Sequence, residues 1–224
     1  MRRFSNSIKS RLTARHKYGF KLCGSLKSKT VLDIGSSYGW FEKFALGSGA
    51  KKAVGIEPEE KYFYQAQREV SQALFKKGSA LKIPEKNRSF DLVVMFDVLE
   101  HLPPGKEGVA LREIKRVLRS GGALVISTPL DFWLTKLTDP AWYFGHRHYR
   151  EEQLRKMLMK TGFKVKKVEK RGGFFEMVSA LLLYFFKWIF NKEIPYKDFW
   201  DQKKDQEYFG KENGFMTIFI KATS

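Results

Sequence analysis

The stretch Thr30-Val31-Leu32-Asp33-Ile34-Gly35-Ser36-Ser37-Tyr38-Gly39-Trp40 decides how this chain reads. Residues 30–34 are a short apolar run ending in an Asp-Ile-Gly turn, and 40–46 reads as the start of a helix. A strand that feeds a glycine turn and then a helix places free backbone N–H groups at one point in space, ready for an anionic group. Gly35 lets the backbone bend close to a ligand, and Gly39 lets the helix pack near the strand.

The same rhythm continues outward. Residues 52–56 form a second strand closed by Glu57-Pro58, and 59–75 has helical composition. A strand at 90–96 precedes an amphipathic helix over 107–118, with Val109, Ile114, Val117 and Leu118 near one face. Ser120-Gly121-Gly122 ends that helix, and a strand at 123–127 closes on Thr128-Pro129. Strand and helix in alternation predict an α/β fold with a doubly wound, mostly parallel sheet. The strands are almost continuously apolar, as strands buried on both faces must be. Beyond Pro129 the spacing predicts a helix over 150–160, a strand with one wet face over 163–168, and a last strand over 215–220. Residues 174–190 are the most hydrophobic stretch, and 191–214 read as a loop or short helix.

The 224 residues suit one domain, here 29–224, with a helical insert at 174–213 and a basic helical segment over 1–28. With 43% hydrophobic residues the chain can build a core, which excludes wholesale disorder. One cysteine, Cys23, excludes an internal disulfide and a cysteine-built zinc site. It fits a reducing compartment, and the basic N-terminus lacks the apolar run of a secretion signal. The expected location is the cytoplasm, with contact at a membrane surface left open. The net charge of +18 points to an anionic partner, either a membrane surface, a phosphorylated substrate or nucleic acid.

In a doubly wound sheet the ligand sits beyond the C-terminal strand ends. Glu57 closes the second strand about 24 residues after Asp33, where an acidic residue grips ribose hydroxyls. The dinucleotide fingerprint would need three glycines, and here the middle one is missing. Asp33 would sit badly beside a pyrophosphate and suits a cationic or amino-bearing ligand.

Four ordered blocks, VLDIGSSYGWF, GIEPEE, SFDLVVMFDVLEHL and LREIKRVLRSGGALVISTP, resemble the class I methyltransferases that use S-adenosylmethionine. A fifth, HRHYREEQLRKMLMKTGFKV, resembles the block after their fifth strand. The nearest likeness is to ubiquinone-biosynthesis O-methyltransferases and related small-molecule enzymes. The resemblance implies a Rossmann-like seven-stranded sheet with one antiparallel strand near its edge, for which 215–220 is the candidate. It also implies that Asp33, Gly35, Ser36 and Gly39 form the cofactor turn and that Glu57, followed by Pro58, binds ribose. Ser79 and Ala80 would frame the adenine, with Ser79 standing where the family has an acidic residue. Phe96 and Asp97 would flank the sulfonium and its methyl group. Some relatives hold a divalent metal with acidic residues and a histidine near here. Asp97, Glu100 and His101 match that set only in part, so no metal is assigned.

Methyl transfer from a sulfonium needs alignment above all, and a hydroxyl acceptor gains from a base. Asp97, His101 and His148 are the candidates, with His146 beside them. Glu100 and His101 equally suit a structural brace, and His148 and Tyr149 equally suit pinning their loop to the sheet. The 174–190 helix either packs on the sheet edge or a partner chain, or serves a lipophilic acceptor or a membrane surface. Phe4, Ile8 and Leu12 share a helical face near Arg2, Arg3, Lys9, Arg11 and Arg15, as a lid or a membrane contact would. The expected activity is O-methylation of a small or lipid-linked acceptor. An RNA-directed methyltransferase or RNA binder, and a catalytically silent scaffold, are the competing readings.

Overall fold

A computed structural model describes residues 12–210 and 213–224. The expectation for 1–11, including Phe4 and Ile8, lies outside the described residues.

Seven strands form one sheet in the order β3-β2-β1-β4-β5-β7-β6. In chain order they are β1 (Thr30–Ile34), β2 (Lys52–Glu57), β3 (Leu74–Lys77), β4 (Phe90–Phe96), β5 (Leu118–Pro129), β6 (Lys164–Arg171) and β7 (Thr217–Thr223). The helices are α1 (Ala14–Cys23), α2 (Trp40–Gly47), α3 (Glu60–Glu69), α4 (Glu107–Val117), α5 (Trp133–Thr138), α6 (Glu151–Lys160), α7 (Phe174–Phe190) and α8 (Lys197–Phe209). Pairing is parallel from β3 through β5, and β7 runs antiparallel to both its neighbours, β5 and β6. The expected antiparallel strand is therefore present, one place in from the edge. The order reverses between β1 and β4, which opens a crevice at their C-terminal ends.

The core lies on both faces of this sheet. One cluster joins Leu32, Ile34, Val93 and Met95 to Leu111, Ile114 and Leu154. The other joins Val31, Leu92, Val94 and Val125 to Phe20, Phe41 and Tyr208. Successive residues of a strand point to opposite faces, so a doubly covered strand must be apolar throughout.

Three local expectations are corrected. The segment 59–75 is not one helix: α3 stops at Glu69, and Leu74–Lys77 forms an edge strand on β2. The glycines after α4 lie inside β5. Its pairing with β4 jumps from Phe90↔Leu118 to Leu92↔Ala123, so the intervening residues bulge out. The segment after α7 holds a full helix, α8, whose Tyr208 is buried against α1 and the sheet.

Candidate active site

The turn after β1 and the end of β2 are laced together. Gly35 and Ser36 N–H both donate to the Ile56 carbonyl, at 2.8 and 3.1 Å. Ser37 N–H donates to Glu57 Oε2 at 2.8 Å, and Glu59 N–H donates to Oε1 at 2.9 Å. Gly35 has φ +80°, and a Cβ there would sit 2.3 Å from Val98 Cγ2. Gly39, also left-handed at +76°, caps α2. Pro58 is exposed and starts the connection to α3. Ser79 and Ala80 follow β3. Gly78 N–H reaches the Glu57 carbonyl at 3.4 Å, so this segment borders the end of β2. The Ser79 hydroxyl accepts from Leu81 N–H at 3.2 Å, and Ala80 is buried.

A cavity of about 260 Å³ opens between this turn, the end of β4 and helix α1. Asp33, Gly35 and Ser36 form its floor, Phe96 and Asp97 one wall, and Arg15 and Phe20 the cover. The sequence offered the basic N-terminal segment with Arg15 as a lid or a membrane contact; the specific pairing of Arg15 with Asp97 was not visible there. Arg15 Nε lies 3.1 Å from Asp97 Oδ2. Asp97 is left-handed at φ 53° and accepts from Ser127 Oγ at 2.9 Å. Its carboxylate raises the Arg15 guanidinium above its ordinary value, against the opposing effect of burial. Burial and then Arg15 push His16 down to about 4, which leaves it neutral, edge-on to Trp40 at 4.8 Å.

The floor is acidic. Burial, then Glu57, pushes the Asp33 carboxyl up to about 8. Glu42 of α2 is wholly buried, and burial followed by Asp33 holds its carboxyl well above the usual range. Glu57 is raised in the same sense by burial, opposed by the Glu59 and Ser37 amides. Sequence reasoning missed Glu42, whose only signal was an acidic residue on the apolar face of a short helix.

Beyond Asp97 the structure brings two histidines to one carboxylate and a third against one of them. Asp139 Oδ2 lies 2.5 Å from His146 Nδ1 and 2.8 Å from His148 Nε2. His146 Nε2 lies 3.3 Å from His101 Nε2 and 3.9 Å from Glu100 Oε1. Burial opposes ionisation of Asp139, yet the bonds from His146 and His148 hold it far below the usual range. Burial, then His146, lowers His101 from its ordinary value. His101 is exposed, whereas the His148 side chain is only 1% exposed. Tyr149 pins the loop: its N–H donates to the Pro129 carbonyl at 3.1 Å, and its hydroxyl donates to Leu99 O at 3.2 Å. Two groups, Glu100–His101–His146 and Asp139–His146–His148, each bring ligand atoms within 4.8 Å and so have the donors to hold a cation. Asp139 was missed; the Asp-Pro step that caps the following 3-10 turn was its only sequence mark.

A family model described as a methyltransferase domain matches residues 9–168. A tRNA U34 carboxymethyltransferase of Dichelobacter nodosus is 36% identical over 110 residues, 46% of this chain and 34% of that one. A protein of Mycolicibacterium smegmatis described as a probable S-adenosylmethionine-dependent methyltransferase is 27% identical over 153 residues, 67% of this chain and 58% of that one. The chain thus spans between a third and three fifths of the length of these relatives. Among solved structures, an S-adenosylmethionine dependent methyltransferase from Mesorhizobium loti superposes with a TM-score of 0.69 at 15% identity, covering 97% of this chain and all of that one. The 4+2 cyclase SpnF gives 0.66 at 19% identity, covering 98% and 85%. Those two likenesses show the fold, and the family match, which takes in the whole of the glycine turn, the β2 carboxylate and the histidine loop, shows the rest: this chain belongs to the methyltransferase-domain family.

Proposed function

We propose that the chain binds S-adenosylmethionine in the crevice between β1 and β4 and passes its methyl group to a hydroxyl of a small or lipid-linked acceptor. The observation that carries this is the Gly35–Ser37 turn fastened to Glu57 above an acidic floor. The bound cofactor supplies an activated methyl group. Glu57 keeps acceptor capacity for ribose hydroxyls, since two amide bonds do not fill a carboxylate's lone pairs. Asp33 sits where the positive amino end of the cofactor comes to rest, and that charge favours its ionised form. Phe96 packs beside the reacting centre, and Asp97 and Arg15 close over it. Helix α1, which covers the cavity through Arg15 and Phe20, is the lid.

On the acceptor side, His101 is the base, with His146 and Asp139 orienting it. The Asp139 bond at Nδ1 leaves the His146 Nε2 lone pair facing His101. His148, buried on the same carboxylate, positions the loop. A second reading, RNA as acceptor, draws on the net charge of +18 and the similarity to tRNA U34 carboxymethyltransferases. Offering methyl-labelled cofactor with a lipid extract, with phenolic small molecules and with total RNA separates them. Label in the organic phase or on a small hydroxyl compound supports the first reading, and label retained on RNA overturns it.

A further inference from the structure

We infer that the distal half of α7, with the turn leading into α8, inserts into the surface of an anionic bilayer. This deepens the lipid-linked reading of the acceptor and rests on it. The base of α7 is fixed. The Glu207 carboxylate of α8 accepts N–H bonds from Gly173, Phe175 and Glu176 at 3.0, 2.6 and 2.9 Å. Tyr208 Oη donates to Glu176 Oε2 at 2.7 Å. Among the described residues, the far end makes no such side-chain hydrogen bonds. Leu181, Phe185 and Trp188 follow one stripe of the helix, Leu183 and Phe190 the opposite one, and all five are exposed. Trp188 is 69% exposed and Ile189 62%.

Exposure on every side decides the occupant. A folded protein partner covers one face of a helix, whereas a fluid apolar medium covers all of them. The whole helix is about 25 Å long at 1.5 Å per residue, so its free half, about 12 Å, reaches past the headgroups without crossing the roughly 30 Å hydrocarbon core. No helix among the described residues is long and apolar enough to cross a membrane. Charge points the same way. Lys187, Lys192 and Lys197 are exposed around the tip, against Glu193 and Asp198, on a chain of net charge +18. A second copy of so basic a chain is repelled, and acidic headgroups attract it. Trp188, with Tyr184 at 5.4 Å, is the kind of side chain that settles at a headgroup boundary. Helix α7 also packs against α5, which ends just before Asp139.

The test is flotation of the full chain with vesicles of phosphatidylcholine alone and with about one third phosphatidylserine. The wild type is expected to float with the anionic vesicles. Phe185→Ser/Trp188→Ser/Ile189→Ser is expected to partition at least about tenfold less, since three side chains lose apolar burial. Lys187→Glu is expected to weaken binding in a salt-sensitive way. Cofactor affinity and transfer to a short-chain soluble acceptor are measured on the same samples. These stay at wild-type levels in the triple variant if the surface alone has changed. Their loss in the wild type would defeat the methyl-transfer reading whatever the vesicles do. Equal flotation of wild type and triple variant overturns the insertion, as does failure of the wild type to float. So does a concentration-dependent dimer in the wild type that the triple variant lacks.

Discussion

At the scale of single residues, the proposed site rests on a glycine and a carboxylate, and each yields a prediction. Gly35→Ala meets both a left-handed φ of +80° and a 2.3 Å approach to Val98. Strain and overpacking of this kind cost roughly 2–4 kcal/mol, so a lower thermal midpoint with lost cofactor binding is expected; an unchanged midpoint would contradict the turn as described. Asp33 yields a pH prediction. Its folded pKa, near 8, lies above its unfolded value, so the folded state holds the proton more tightly. Its contribution to stability is full below about pH 4 and is lost as pH rises towards 8. The thermal midpoint of the cofactor-free protein is therefore expected to fall as pH rises across that window. Asp33→Asn should flatten the fall, and saturating cofactor should offset it. His101→Gln is expected to lower kcat about 100-fold without changing cofactor affinity. The acid limb of the wild-type rate profile should lie below 6.5, because burial lowers His101. An acid limb unchanged in His101→Gln would remove His101 from the proton path.

At the scale of elements, what the sequence disclosed followed the strength of its period. β1, β2 and β4 are continuous apolar runs bounded by turn residues, and their edges were readable to within a residue or so. β3 was hidden because it is four residues long, exposed on most positions, and follows a helix with no glycine or proline between them. α8 was hidden because its mixed polar and aromatic surface has little apolar period; what fixes it is Tyr208, a contact made far away in the chain. The Asp33–Glu57 pair was legible from spacing alone. The Asp139 relay was not, since it joins a loop to residues about 40 positions earlier, and no local pattern encodes such a meeting. The buried Tyr208 hydroxyl joins Glu176 at 2.7 Å and Thr217 at 3.1 Å. Tyr208→Phe leaves Glu176 without its donor and is expected to cost roughly 1–3 kcal/mol, read as a lower denaturant midpoint. A midpoint unchanged within error would mean that the Tyr208 hydroxyl adds nothing to what the Glu207 bonds and the apolar contacts already hold.

At the scale of the whole molecule, the two ends of the chemistry fall to different parts of the chain. The turn after β1 and the ends of β2 and β4 make the proposed donor half, which the family match covers. The acceptor half as proposed draws on α1 and the histidine loop, which lie inside the match but carry no pattern that names an acceptor, while α7 lies beyond it. This division explains why the donor was readable and the acceptor was not. It also sets the decisive measurement, calorimetric titration of S-adenosylmethionine into the wild type and into Glu57→Ala. The wild type is expected to bind one equivalent with release of protons near neutral pH, and Glu57→Ala to bind at least about tenfold more weakly, the loss of a charge-assisted bond. Equal affinity in the two proteins, or no binding to the wild type, would contradict the site.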